Sequence, residues 1–166
     1  MRKRTKSREY ALQILYQVDI RQGDWRPILQ EFWAAQRVEG EVRQFADQLV
    51  AGTAGHHEEI DRVIGAHANN WNMKRMAVVD RNILRLGVFE LLHMGDVPPK
   101  VCINEALELA KRFGDTESAK FINGILDAVH KAHTRPGDAA DGASGAAPPP
   151  RGADGPAGDG DAGTPS

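Results

Sequence analysis

Five cations stand among the first eight residues, Arg2, Lys3, Arg4, Lys6 and Arg8, with no acid between them. Such a cluster suits anions, phosphate oxygens above all. It lies where a helix is about to begin, and a helix N-terminus favours anions over cations. Cations placed there repel one another and the helix end. A bound phosphate would relieve that repulsion, with backbone N–H groups adding to the site. Tyr10 and Tyr16 follow on the same segment. Either could stack an unpaired base, as RNA-binding proteins do; for Tyr10, partial core packing is the preferred reading.

Other chemistry falls away on spacing. His56-His57-Glu58-Glu59 invites a metal, but the zinc-protease pattern needs a second His four positions on, where Ile60 and Asp61 stand. The run reads as a solvated helix face. His130 and His133 sit near a helix end, where the dipole accounts for them. The single cysteine, Cys102, excludes an internal disulfide and a Cys-based zinc site, and reads as a small buried thiol. There is no nucleophile elbow, and no Gly-rich loop follows a strand. The carboxylates are scattered, mostly at salt-bridge spacing such as Glu108 with Arg112. No catalytic residue, no cofactor and no metal is expected, and the chain reads as a protein that is not an enzyme.

The elements that must carry the cations and tyrosines are helical. Ala11, Leu12, Leu15 and Val18 form an apolar stripe at helical spacing over about Ser7–Ile20. Gly23-Asp24 ends it, and Pro27 suits the first turn of a short helix to about Gln36. A longer pattern from Gly40 holds Gly52 and Gly55, which predict a break into two helices. From Val78 to Met94 the chain is apolar almost all round, the mark of a helix at the centre of a bundle. Gly87 within it lets a neighbour approach closely. Pro98 and Pro99 make an extended connector. A helix follows with Gly114 as its C-cap glycine, and then a last helix with Asp115 or Thr116 as cap. No stretch alternates as a strand. The expected fold is all-α, one compact domain of about seven helices.

That domain is residues 1–133. Residues 134–166 hold 8 Gly, 8 Ala, 6 Pro and 5 Asp, with no aliphatic larger than Ala and no aromatic. They have nothing to bury, so a disordered tail is expected. The tail carries 2 Arg against 5 Asp, and the body 19 basic against 18 acidic residues, so a near-neutral pI hides a basic arm on an acidic globule. No apolar run spans a membrane and no signal-peptide core follows the arm, so a cytoplasmic protein is expected.

Several blocks carry a resemblance. Arg8-Glu-Tyr-Ala-Leu-Gln-Ile-Leu-Tyr16, Asp80-Arg-Asn-Ile-Leu-Arg-Leu, Phe89-Glu-Leu-Leu, the run Asp96–Gly114 and Ser118–Asp127 are similar to the bacterial NusB transcription antitermination family. The resemblance implies an all-α fold of about seven helices. It implies binding to the boxA element of nascent ribosomal RNA, together with ribosomal protein NusE, within the RNA polymerase antitermination complex that reads through terminators. Carried residue by residue, it implies RNA contacts at Arg4, Lys6, Arg8 and Tyr16, and at Glu117, Lys120 and Phe121. It implies a partner contact at Asp80. Thr5 stands where the family often has arginine and Ser7 where alanine is usual. Two alternatives stand beside it: the NusB-like module of an rRNA cytosine methyltransferase, which needs a large cofactor domain that residues 134–166 cannot supply, and a helical DNA binder, which wants Arg, Asn or Gln on a recognition helix.

Overall fold

The computed structural model describes residues 2–68 and 72–133. Seven helices follow one another: α1 Lys3–Arg21, α2 Trp25–Ala34, α3 Gly40–Gly55, α4 His57–His67, α5 Val78–His93, α6 Pro99–Phe113 and α7 Ser118–Ala132. A single 3₁₀ turn, Met73–Arg75, precedes α5. Among the described residues there is no strand. The expected disorder of 134–166 lies outside the described residues.

The helix with the widest apolar surface is at the centre. α1, α3, α4, α6 and α7 all pack on α5, whose Ile83, Leu84, Leu86, Val88, Phe89 and Leu91 are buried. Gly87 permits the α7 contact: a Cβ there would lie 2.9 Å from Leu126 Cδ1. Cys102 is buried, as its place on α6 predicts.

Local chemistry sets the ends. Asp24 accepts a hydrogen bond from the Arg26 N–H at 3.1 Å and starts α2. His56 alone separates α3 from α4, the break expected at Gly52–Gly55. Pro98 precedes α6 and Pro99 opens it. Gly114 is the C-cap of α6, as expected, and its N–H bonds the Ala110 carbonyl, but not in the left-handed conformation. Its φ of −95° is ordinary, and what requires glycine is closeness, since a Cβ would lie 2.5 Å from Ser118 Oγ. Asp115 Oδ1 then accepts the Glu117 N–H at 2.9 Å as α7 begins.

Two features depart from the sequence reading. α1 begins at Lys3 rather than near Ser7, so the cationic arm is itself helix. And α5, apolar on most sides, carries a buried polar strip. Asp19 of α1 accepts from Arg81 Nε at 2.9 Å, Asn82 Nδ2 at 2.8 Å and Arg85 Nη1 at 3.0 Å. Arg85 also grips Asp61 of α4, at 2.8 Å and 3.0 Å. Burial works against the Asp19 charge, but the hydrogen bonds from Asn82 and Arg81 and the charge of Arg85 outweigh it and hold its carboxyl below the usual value.

Candidate nucleic-acid interface

The arm forms a helix because its charges are answered from other elements. Lys3 Nζ lies 2.9 Å from Glu39 and 2.8 Å from Glu41, at the start of α3. Their hydrogen bonds hold its ammonium charged well beyond its ordinary range. Arg2 Nη2 reaches Glu105 of α6 at 3.0 Å. Arg4 lies 3.8 Å from Asp96 and its guanidinium sits 4.3 Å above the Phe45 ring. Lys6 is 3.8 Å from Glu9. The repulsion expected at the helix start is therefore largely cancelled inside the molecule, and the basic arm is locally close to neutral.

Arg8 is the departure that matters most. The residue is 3 % exposed. It makes a bidentate bond to Glu90 of α5, Nη2 to Oε1 at 2.7 Å and Nε to Oε2 at 2.9 Å. Glu105 lies 3.4 Å away on its other side. Burial opposes this charge, but the bonds and charges of Glu90 and Glu105 win, so Arg8 stays ionised. The expectation that Arg8 meets a phosphate is corrected on geometry: its donors face carboxylates inside the protein. Helical spacing explains this, since Arg8 shares the stripe of Ala11, Leu12 and Leu15.

The same spacing sorts the other residues. At about 100° per residue, Lys6, Gln13, Tyr16 and Ile20 share an outward side of α1, with Arg2 just before the helix and Glu9 buried on the same side. Tyr16 is 40 % and Ile20 is 55 % exposed. Arg4 lies on the inner side, but at the helix end, where it stays exposed beyond Phe45. Tyr10 packs edge-on against Phe32 and Trp33, with centroids 5.7 Å and 5.6 Å away, so it belongs to the partly buried layer, as preferred above. Thr5 and Ser7, the two departures from the family pattern, work internally. Thr5 Oγ1 donates to Glu105 at 2.8 Å, and Ser7 Oγ to the Val42 carbonyl at 2.8 Å.

The start of α7 comes beside this face through α6. Arg112 Nη1 pairs with Glu9 of α1 at 3.1 Å, not with Glu108 as the i,i+4 spacing suggested; Lys111 takes Glu108, at 3.5 Å. Glu117 and Lys120 are exposed and Phe121 is half-buried. Asp80 is only 9 % exposed, so it is no open partner contact. Its Oδ1 accepts Ser118 Oγ at 2.7 Å and ties α5 to the start of α7. Burial pushes its carboxyl up, Asp115 adds to that, and the Ser118 bond opposes it. Gln13 and Arg112 join the face without having been singled out for RNA; Gln13 could have been found from the α1 stripe. His56 and Glu59, set aside on spacing within one helix, meet His93 of α5.

The arrangement can therefore hold a polyanion along α1: exposed cations at its start, an exposed aromatic three turns on, and the α6–α7 corner alongside. The NusB family model matches residues 5–131. Transcription antitermination protein NusB of Myxococcus xanthus is 44 % identical over 137 residues, covering 80 % of this chain and 98 % of that protein. Its counterpart in Anaeromyxobacter dehalogenans is 50 % identical over 128 residues, covering 76 % and 89 %. Among solved structures, T. maritima NusB aligns with a TM-score of 0.74 at 36 % identity, covering 80 % of this chain and 93 % of that one. A crystal structure of antitermination factors NusB and NusE in complex with dsRNA aligns with a TM-score of 0.73 at 32 % identity, covering 80 % and 99 %. With a helical frame of seven, the shared blocks in place and the family model spanning nearly all of the helical unit, the chain belongs to the NusB family.

Proposed function

We propose that this chain is an RNA-binding transcription antitermination factor. It engages boxA-type single-stranded RNA of nascent ribosomal transcripts together with ribosomal protein NusE, within the RNA polymerase antitermination complex. The observation that carries this reading is the outer face of α1, where Arg2 and Lys6 lead to the exposed Tyr16. Lys3 and Arg4 hold their carboxylates in surface ion pairs, which are worth about 0–1 kcal/mol each, so a phosphate can replace them. Arg4 and Lys6, with Arg2 and Lys3, neutralise phosphates; Tyr16 stacks a base; Glu117, Lys120 and Phe121 border the strand at the α6–α7 corner. Arg8 positions α1 from within. Asp80 serves the partner side by fixing the α5–α7 junction. The reading is of a non-enzymatic, cytoplasmic protein. Among the described residues no helix is long and apolar enough to cross a membrane.

The test is fluorescence anisotropy of the full chain with boxA-type single-stranded RNA, a scrambled strand, duplex RNA and duplex DNA, each with and without NusE. The expected order puts the boxA strand first, with a gain in affinity when NusE is present. Equal binding of all four nucleic acids, unmoved by NusE, would overturn the reading.

A further inference from the structure

Where α3 gives way to α4, three potential metal ligands converge. His56 is the junction residue, Glu59 lies in the first turn of α4, and His93 is the last residue of α5. One ligand atom from each lies within 4.8 Å of the other two. We propose that His56, Glu59 and His93 form a binding site for a divalent ion of the Zn²⁺ class.

The arrangement is more than a chance pair. His56 Nδ1 lies 2.8 Å from the Gly52 carbonyl, which can only accept, so Nδ1 carries the proton and Nε2 is left as the lone pair. Histidines that hold metals are usually fixed in this way, by a carbonyl or carboxylate on the other nitrogen. The His56 and His93 rings stack with centroids 4.0 Å apart. Phe89 packs on both rings, at 5.9 Å and 5.6 Å, and the stacked imidazoles must tilt apart for both to face one ion. His93 Nε2 is 2.8 Å from Glu59 Oε1. A simple His–Glu pair accounts for that last contact, but not for His56, which is oriented by Gly52 and Phe89 instead.

Two imidazoles and one carboxylate suit a borderline ion, whereas Ca²⁺ and Mg²⁺ want oxygens. At bond lengths of about 2.0–2.2 Å, tetrahedral ligands lie about 3.3 Å apart. Ligand atoms within 4.8 Å of one another close to that spacing by an approach of about 1.5 Å together with rotation of the stacked rings. The proton shared between His93 Nε2 and Glu59 leaves, to Nδ1 or to solvent, and the ion takes its place. An open recess adjoins His56 and Glu59, lined also by Ala54, Gly55 and Arg62, so water can complete the coordination from that side. The bound ion would clip the α3–α4 corner to the end of α5.

The full chain, stripped with chelator, is titrated with Co²⁺ and then with Zn²⁺ as competitor. The visible d–d bands of four-coordinate Co²⁺ and the melting temperature are followed. One equivalent should bind, with Zn²⁺ displacing Co²⁺ and raising the melting temperature. His56→Ala and His93→Ala should each weaken binding at least about tenfold while circular dichroism stays unchanged. His57→Ala, whose ring pairs with Asp61 at 3.2 Å, should bind as the wild type does. Absence of saturable binding, or equal affinity in His93→Ala and the wild type, would overturn the site. Glu59→Gln, which keeps the hydrogen bond to His93 but loses the anionic ligand, should fold normally and bind more weakly; unchanged affinity there removes Glu59 from the ligand set and sinks the proposal as stated.

Discussion

Replacing Arg8 with Met separates a buried support from a phosphate contact. The Arg8–Glu90 pair is bidentate, at 2.7 Å and 2.9 Å, and its side chains are 4 % and 2 % exposed. Met fills most of the stem's volume but leaves the Glu90 carboxylate buried without its cation. Breaking such a pair from one side costs about 3–5 kcal/mol. At about 2.1 cal/mol/K per residue over the roughly 130 residues of the helical unit, that lowers the melting temperature by about 10–20 °C. Arg8→Met with Glu90→Leu removes both charges together and should recover most of the loss, because apolar replacement of a whole buried pair is often close to neutral. Glu105 keeps its bonds to Arg2 and Thr5 in both variants. Thermal melts of the four proteins of this cycle give the coupling. The salt dependence of RNA affinity, measured where all four are folded, gives the role. The slope of log affinity against log salt should match wild type in Arg8→Met, since a guanidinium held by Glu90 is not neutralising a phosphate. A stability loss under about 1 kcal/mol, with the slope flattened by about 0.7, would refute the assignment.

Four further outcomes follow from the same geometry. Changing Arg2, Arg4 and Lys6 together to Ala should flatten the salt slope by about 2 for every RNA sequence alike, because phosphate contacts position rather than specify; an unchanged slope moves the RNA site elsewhere. Tyr16→Ala should lose about 1–3 kcal/mol of RNA affinity at constant slope, read by anisotropy at several salt concentrations, and a change in slope instead would argue against stacking. Asp19→Asn should cost about 1.5–3 kcal/mol at neutral pH in a denaturant titration. Because the folded carboxyl titrates below its ordinary value near 3.8, wild-type stability from this group is present in full above that value and is lost as pH falls through it and below; the Asn variant should show a shallower acid limb, and parallel limbs would contradict the cause given. Asp80→Asn keeps an acceptor for Ser118 while removing a charge whose carboxyl burial pushes up. It should melt at or slightly above wild type at neutral pH, with the gap closing in acid as the wild-type group takes up its proton. A loss above about 1 kcal/mol would show that the charge itself is needed.

What the sequence makes legible is what lies within four or so residues. The stripe from Ala11 to Val18, the glycine break before His56 and the Pro98-Pro99 start of α6 each follow from local spacing, and each stands where it was expected. The misreadings concern partners far apart in the chain. Arg8 meets Glu90 and Arg112 meets Glu9, across separations of 82 and 103 residues. No i,i+4 rule reaches that far, so local spacing gives Arg112 to Glu108 and leaves His56 without His93. A signal for some of these was present. Arg81, Asn82, Arg85 and Glu90 interrupt a helix otherwise apolar on nearly every side, and polar groups taken into a core must find partners there. Arg8 carries its own warning, since it shares the stripe of Leu12 and Leu15. Asp80 carries none: one acid in the first turn of a helix looks like ordinary dipole compensation, and only the arrival of Ser118 from α7 buries it.

The long reach of these pairs has a consequence for how the chain is made. α1 leaves the ribosome before the other helices, yet its polar side chains are completed by Glu90 of α5 and by Glu105 and Arg112 of α6, which emerge long after it. At about 5–20 residues per second, the residues between Arg8 and Glu105 take roughly 5–20 s to synthesise. Lys3 and Lys6 find Glu39, Glu41 and Glu9 early, but through that interval Arg2 and Arg8 stand on α1 without Glu90 and Glu105, in a cell crowded with nucleic acid. A nascent chain stalled before Glu90 should therefore hold RNA less selectively than the released protein, and release of the complete chain should sharpen its choice.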